Sequence, residues 1–233
     1  MKQILFFLIT VFSLASCSYT SGSGNIITEN RSVGDFTGIS VGGDFDVEVK
    51  IGPATEVRVE ADDNIMRHIE TIVSGSTLKI RTRDLHNYGD VHMKVYITTP
   101  SLVKVNASAS ARVDVKDELK STEKISFSAS SSGNIHADVD APDVEADASS
   151  GADLNLTGKT RTYNAQASSG ASIKSYDLLS ENTIVQVSSG ASARVHASVS
   201  LNAQASSGGT VAYHGGATVS KTESSGGSVS KKD

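Results

Sequence analysis

The residues of this chain that could do chemistry are its histidines and one dense group of carboxylates. His68, His86, His92, His136, His196 and His214 are scattered, and no two sit at the short spacings that place two ligands on one metal ion. Asp138, Asp140, Asp143, Glu145, Asp147 and Asp153 lie within one stretch. Carboxylates so concentrated could hold calcium or cleave an acidic polysaccharide, as an enzyme would require. Asp138, Asp140, Asp147 and Asp153 nevertheless share the polar parity of an alternating pattern, which is how a solvated strand face reads. The Gly-Gly-x-Gly-x-Asp calcium repeat is missing, as is a Gly-x-Ser-x-Gly nucleophile elbow. The Ser-Ser-Gly phrases have no Lys-Ser/Thr or helix after them, so they are not phosphate cradles. The expectation is no catalytic residue, no metal and no cofactor.

A different chemistry is written at the start of the chain. Residues 1–16 carry one basic residue, Lys2, then an apolar run from Ile4 to Phe12, then Leu14-Ala15-Ser16 before Cys17. That is the layout of a signal peptide, too short to span a bilayer as a helix. The ending is similar to a bacterial lipobox, in which cleavage precedes the cysteine and its thiol is acylated. Cys17 is the only cysteine, so no internal disulfide competes for it. At about 0.8 kcal/mol per buried CH₂, two or three acyl chains anchor a protein firmly. The polar run Ser18–Asn25 reads as a flexible tether, assigned to residues 17–30. The net charge of −5 offers no basic stripe, so nucleic acid is excluded as a partner.

The second half is organised by a recurring phrase, Ala-Ser-Ser-Gly-Ala. Aligned on its second serine, the copies fall at Ser131, Ser150, Ser169, Ser189, Ser207 and Ser225, with steps of 18 to 20 residues. Apolar residues keep one parity through each copy. Ala146, Ala148, Ala152, Leu154 and Leu156 do so in one coil, and Val185, Val187, Ala191, Ala193 and Val195 in another. Alternation is the signature of strands. Strands repeated every 18–20 residues without helices predict a β-solenoid whose coils stack about 4.8 Å apart. Counting parity straight through the phrase places the six serines in an inward-facing structural column. The same count makes Tyr163 and Tyr213 inward, and puts Lys221 and Glu223 where earlier coils carry alanine.

The first half is also β but less regular. Phe45, Val47, Val49 and Ile51 alternate, as do Val57, Val59 and Ala61, with Gly52-Pro53 as a turn between them. Asp62–Ile69 is the one helix candidate, at most about two turns. Ile72–Thr82 reads as a hairpin around Ser74-Gly75-Ser76, followed by a strand through Val91, Met93, Val95 and Ile97. No linker separates the halves. The expected plan is a single β-helix domain over residues 31–220, irregular over 31–105 and repeating over 106–220, with 221–233 as an end cap or frayed tail.

Several segments carry a resemblance. They are Phe36-Thr37-Gly38-Ile39-Ser40-Val41-Gly42-Gly43-Asp44-Phe45-Asp46-Val47-Glu48-Val49, Gly75-Ser76-Thr77-Leu78-Lys79-Ile80, Ile97-Thr98-Thr99-Pro100-Ser101-Leu102 and the Ser-Ser-Gly repeats. Together they resemble the auto-transporter adhesin, head GIN domain family of Bacteroidetes, over roughly residues 34–215. The resemblance implies an all-β, right-handed single-stranded β-helix and brings no catalytic residues with it. Three functions fit the sequence. One is a lipid-anchored protein of the envelope, in the outer membrane of a Gram-negative bacterium, that binds a protein or glycan. The others are a polysaccharide-acting enzyme on the same scaffold and a structural envelope spacer. Sugar recognition usually uses exposed aromatic rings, and the chain has no Trp.

Overall fold

The computed structural model describes residues 19–83 and 87–232. It is a β-solenoid of about 7 turns, built as two stacks of strands joined at their edges. One stack runs from Ile69–Ser74 through Thr77–Thr82, Gly38–Gly42, Lys104–Ser108 and Ile125–Ser130 into the repeating coils. The other runs from Ile26–Arg31 through Glu56–Asp62, Met93–Thr99, Asp46–Ile51 and Arg112–Val115 into the same coils. The coils pair in parallel throughout, whereas the first strands of each stack pair antiparallel. The irregular half therefore extends the same two sheets with hairpin-type strands. Its interior holds the large side chains Phe36, Phe45, Ile39 and Leu78, while the coils close on columns of alanine.

The Ser-Ser-Gly phrase is the corner of each coil, not part of a strand. The Ala152 N–H donates to the Ser149 carbonyl (3.2 Å) across Ser150 and Gly151, whose φ angles are +52° and +72°. Two positive central φ values define a type I′ turn. The same geometry recurs at Ser169, Ser189, Ser207 and Ser225, each with φ near +50°. The chain reverses within four residues, so the walls converge, and the buried residues flanking the turn are short: Ala148 and Ala152, Ala167 and Ala171, Val187 and Ala191.

This corrects the inward serine column. Ser131, Ser150, Ser169, Ser189, Ser207 and Ser225 do stack, but all six are exposed. The left-handed conformation throws the side chain to the convex side. Parity survives because the two turn residues advance the count by an even number. The column is tied by backbone: the Gly151, Gly170, Gly190 and Gly208 N–H groups donate to the carbonyls of Ser169, Ser189, Ser207 and Ser225 (3.0–3.1 Å).

Two further expectations change. The tether is folded from residue 19 onward. Tyr19–Thr20 pairs with Asn87–Tyr88, and Ile26–Arg31 supplies a strand to the open edge of Glu56–Asp62. Between them the Ser23 hydroxyl and the Asn25 amide donate to Asp63 (2.6 and 2.8 Å), and the Gly24 N–H donates to Asp62 (2.7 Å). Small polar residues here answer two carboxylates, where composition alone reads as flexible. The helix shrinks to Asp63–Met66. Asp62 does not cap it, because its buried carboxylate also accepts the His92 N–H (2.8 Å), and Ile69 already begins the next strand.

Candidate ligand-binding groove

The repeat places outward side chains in columns as regular as the inner ones. On the first stack the register aligns Ser128, Asp147, Gln166, Gln186, Gln204 and Thr222. Beside them, nearer the turn, stand the half-buried first serines of the phrase, among them Ser149, Ser168, Ser188 and Ser206. The two columns bound a groove of about 570 Å³ that runs along the solenoid axis across five coils and more. Its floor is the strand ends at Ala148, Ala167, Val187 and Ala205. Among the described residues, the Gln166, Gln186 and Gln204 amides and the Ser168, Ser188 and Ser206 hydroxyls make no side-chain hydrogen bond. Each of these three coils thus offers a donor and an acceptor from the amide and a hydroxyl that is either, at one strand spacing.

Asp147 is the one carboxylate in the groove. Burial, and then the Glu145 carboxylate, push its pKa above the ordinary range. The rest of the acidic group is dispersed. Glu145 is held down by the Lys124 ammonium (2.7 Å), and Asp140 and Asp153 pair with Lys159 (3.1 Å) and Lys174 (3.0 Å) on the next coil. Asp138 accepts the Thr157 hydroxyl (3.1 Å), and Asp143 is half-buried. These pairs join residues 19 to 21 apart, one coil, so the group is an ionic ladder. No set of three or more His, Cys, Asp or Glu among the described residues could hold a metal ion.

The histidines serve the same kind of cross-coil contact. His92 meets Glu60 (2.8 Å), His136 meets Asp114 (3.3 Å), and the His196 Nδ1 lies 3.3 Å from the Ser180 carbonyl oxygen. His196 and His214 are register partners, a proximity hidden by 18 residues of sequence. His214 stacks on Tyr176 at 3.9 Å. His86 and Cys17 fall outside the described residues. Tyr163 is buried, and Tyr213 is only half-buried.

The second stack carries a different surface. Arg58 lies over the Tyr96 ring at 3.9 Å, Lys94 pairs with Glu48 (2.7 Å), and Asp114 is flanked by Lys116 and His136. Burial works to raise Asp114, but the Lys116 ammonium prevails and holds it below its usual range. One broad face is therefore ion-paired and the other is largely uncharged amide and hydroxyl. The glutamine column was legible, since every member lies three residues before the second serine. An eye on the serines passes over it.

The family model described as putative auto-transporter adhesin, head GIN domain, matches residues 35–217. The chain belongs to that family. Among solved structures this GIN-domain chain is similar to a putative adhesin from Bacteroides fragilis NCTC 9343, with 19% identity, TM-score 0.80, and coverage of 91% of this chain and 98% of that one. It is similar also to a putative lipid binding protein from Parabacteroides distasonis ATCC 8503, with 20% identity, TM-score 0.76, and coverage of 93% and 100%. A putative adhesin from Parabacteroides merdae ATCC 43184 is 16% identical, with TM-score 0.73 and coverage of 92% and 99%. At these identities the shared property is the fold. No curated protein matches the chain.

Proposed function

We propose that this GIN-domain protein is a non-enzymatic binding protein of the cell envelope, held to the outer membrane of a Gram-negative bacterium by acyl chains on Cys17, and that its ligand lies in the glutamine–serine groove. The observation that carries the reading is the row of Gln166, Gln186 and Gln204 amides, unbonded within the protein and repeated at one strand spacing. Hydrogen-bonding groups so spaced suit an extended, uncharged polar ligand, a glycan chain or a polar protein segment. An adhesin needs many modest contacts over a long rigid face, and a solenoid supplies them.

Two experiments test this. Binding of the domain to immobilised neutral polysaccharides and extracellular-matrix proteins should be lost when Gln166, Gln186 and Gln204 are all changed to Ala. It should survive Lys174→Ala with Arg194→Ala on the charged face. Equal loss from both sets removes the groove from the proposal, and calcium-dependent depolymerisation of an acidic polysaccharide would make the protein an enzyme. Cys17→Ser should move the protein from the membrane fraction to the soluble one, and unchanged fractionation would end the anchor.

A further inference from the structure

The glutamine–serine groove is not the same from end to end. Along its outer column the register sets Ser128, Asp147, Gln166, Gln186, Gln204 and Thr222 one strand spacing apart. A carboxylate therefore stands toward one end and three amides follow it, over roughly 14 Å from Asp147 to Gln204. No lysine or arginine lines the groove.

Asp147 is also short of a partner. Among the described residues, no hydrogen bond or ion pair reaches its half-buried carboxylate. On the same strand Glu145 takes Lys124 (2.7 Å) and Asp140 takes Lys159 (3.1 Å). Lys124 acts on Asp147 only through space, and that attraction is outweighed by burial and by the Glu145 charge. A carboxylate half-withdrawn from water with no cation against it is a costly arrangement that a bound cation would relieve.

The spacing selects the polymer that brings the cation. An extended peptide laid along the groove would present side chains to it every ~6.8 Å, out of step with coils about 4.8 Å apart. A chain of pyranose rings advances by close to one strand spacing per ring, so successive rings meet successive amides.

We propose that the groove takes a hexosamine glycan carrying a free amine, with the ammonium seated on Asp147 and the following rings on Gln166, Gln186 and Gln204. The proposal rests on the groove reading above and narrows it. Asp147 then gives the bound chain one direction along the solenoid, and it repels uronic and sulfated glycans, which find no cation in the groove.

The test compares two probes by titration calorimetry on the full-length protein in low-salt buffer. One is the β-1,4-linked glucosamine hexamer, and the other is the same hexamer fully N-acetylated. The parent should bind the amine form about fivefold or more tightly, the worth of one partly buried ion pair, and added salt should shrink that ratio. Asp147→Asn should bring the ratio close to one. Asp153→Asn removes the same charge across the corner, where Asp153 pairs with Lys174 outside the groove, and should leave the ratio as it was. Asp147→Asn should melt no lower than the parent, because it removes a carboxylate that has no partner. Equal affinities in the parent, both lost in the Gln166, Gln186 and Gln204 triple variant, overturn the amine preference and leave the groove standing. A ratio that persists in folded Asp147→Asn protein places the amine elsewhere and overturns the proposal too. Failure of both hexamers to bind the parent removes the hexosamine ligand, while the groove itself stands or falls by the polysaccharide and matrix-protein binding described above.

Discussion

The Glu223 carboxylate accepts a hydrogen bond from the Val229 N–H, and Lys221 on the same strand donates to the Val229 carbonyl (3.4 Å). Val229 belongs to the last strand, Ser228–Lys231. Ser228, just before it, and Lys232, three residues on, bond back to Gly209 and Tyr213 on the preceding coil. Alternate residues of a parallel strand point their backbone groups to opposite sides, so Val229 points at the open end. Lys221 and Glu223 stand in register with buried Ala203 and Ala205, but with no coil beyond them they are exposed and fold over that edge.

Changing Lys221 and Glu223 together to Ala should therefore free the Val229 edge, and unpaired edges recruit other chains. Oligomers are expected at concentrations where the parent is monomeric, measured by sedimentation. The Val229 N–H, and then Lys221, hold the Glu223 carboxyl below the ordinary glutamate range. A depressed carboxylate protects while ionised, so the parent should stay monomeric at neutral pH and associate only as pH falls below that range. A double variant that remains monomeric would remove the edge-guarding role.

Ala171 is buried between Ala152 and Ala191 of adjacent coils, at the narrow end beside the turn. Ala171→Leu should cost about 1–3 kcal/mol by overpacking. Ser172→Leu, one residue along and half-buried on the outer side, should stay within roughly 0.5 kcal/mol. Equal shifts of the two melting curves would mean the interior is looser than the alanine columns imply.

At the turn the sign of the effect is informative. Ser169 has φ +53°, where a β-branched residue is strained and asparagine is tolerated. Ser169→Val should destabilise by about 1–2 kcal/mol, while Ser169→Asn should be neutral or slightly stabilising. An inward serine would give the opposite order, since valine would then gain burial and asparagine would lose solvation.

Tyr163 is fully buried, and its hydroxyl has no hydrogen-bond partner. The Ser175 hydroxyl beside it donates to the Arg194 carbonyl (2.8 Å) and keeps its lone pairs, but no hydrogen bond of normal geometry joins it to the phenol. Burial drives the phenol pKa up, a sign of how poorly the site solvates charge. Removing an unsatisfied buried hydroxyl should help, so Tyr163→Phe should raise stability by about 1 kcal/mol in denaturant unfolding. A loss of that size would reveal a partner for the hydroxyl.

Parity and period carried most of the fold. Val185, Val187, Ala191 and Ala193 announced an interior because solvent acts on every residue of a strand separately and leaves its mark in the sequence. The repeat announced coils because each must present the same columns to the next. Parity is blind to φ, so Ser150 and Ser169 counted as inward although a left-handed turn points them out. Composition is blind to partners, so Ser23, Gly24 and Asn25 read as tether until Asp62 and Asp63 came within hydrogen-bond reach. The groove, the His196–His214 pairing and the Glu223–Val229 contact belong to the tertiary structure. Each depends on stacking one coil on another, which brings side chains 18 to 20 residues apart to neighbouring positions or, at the last coil, leaves an edge with nothing beyond it.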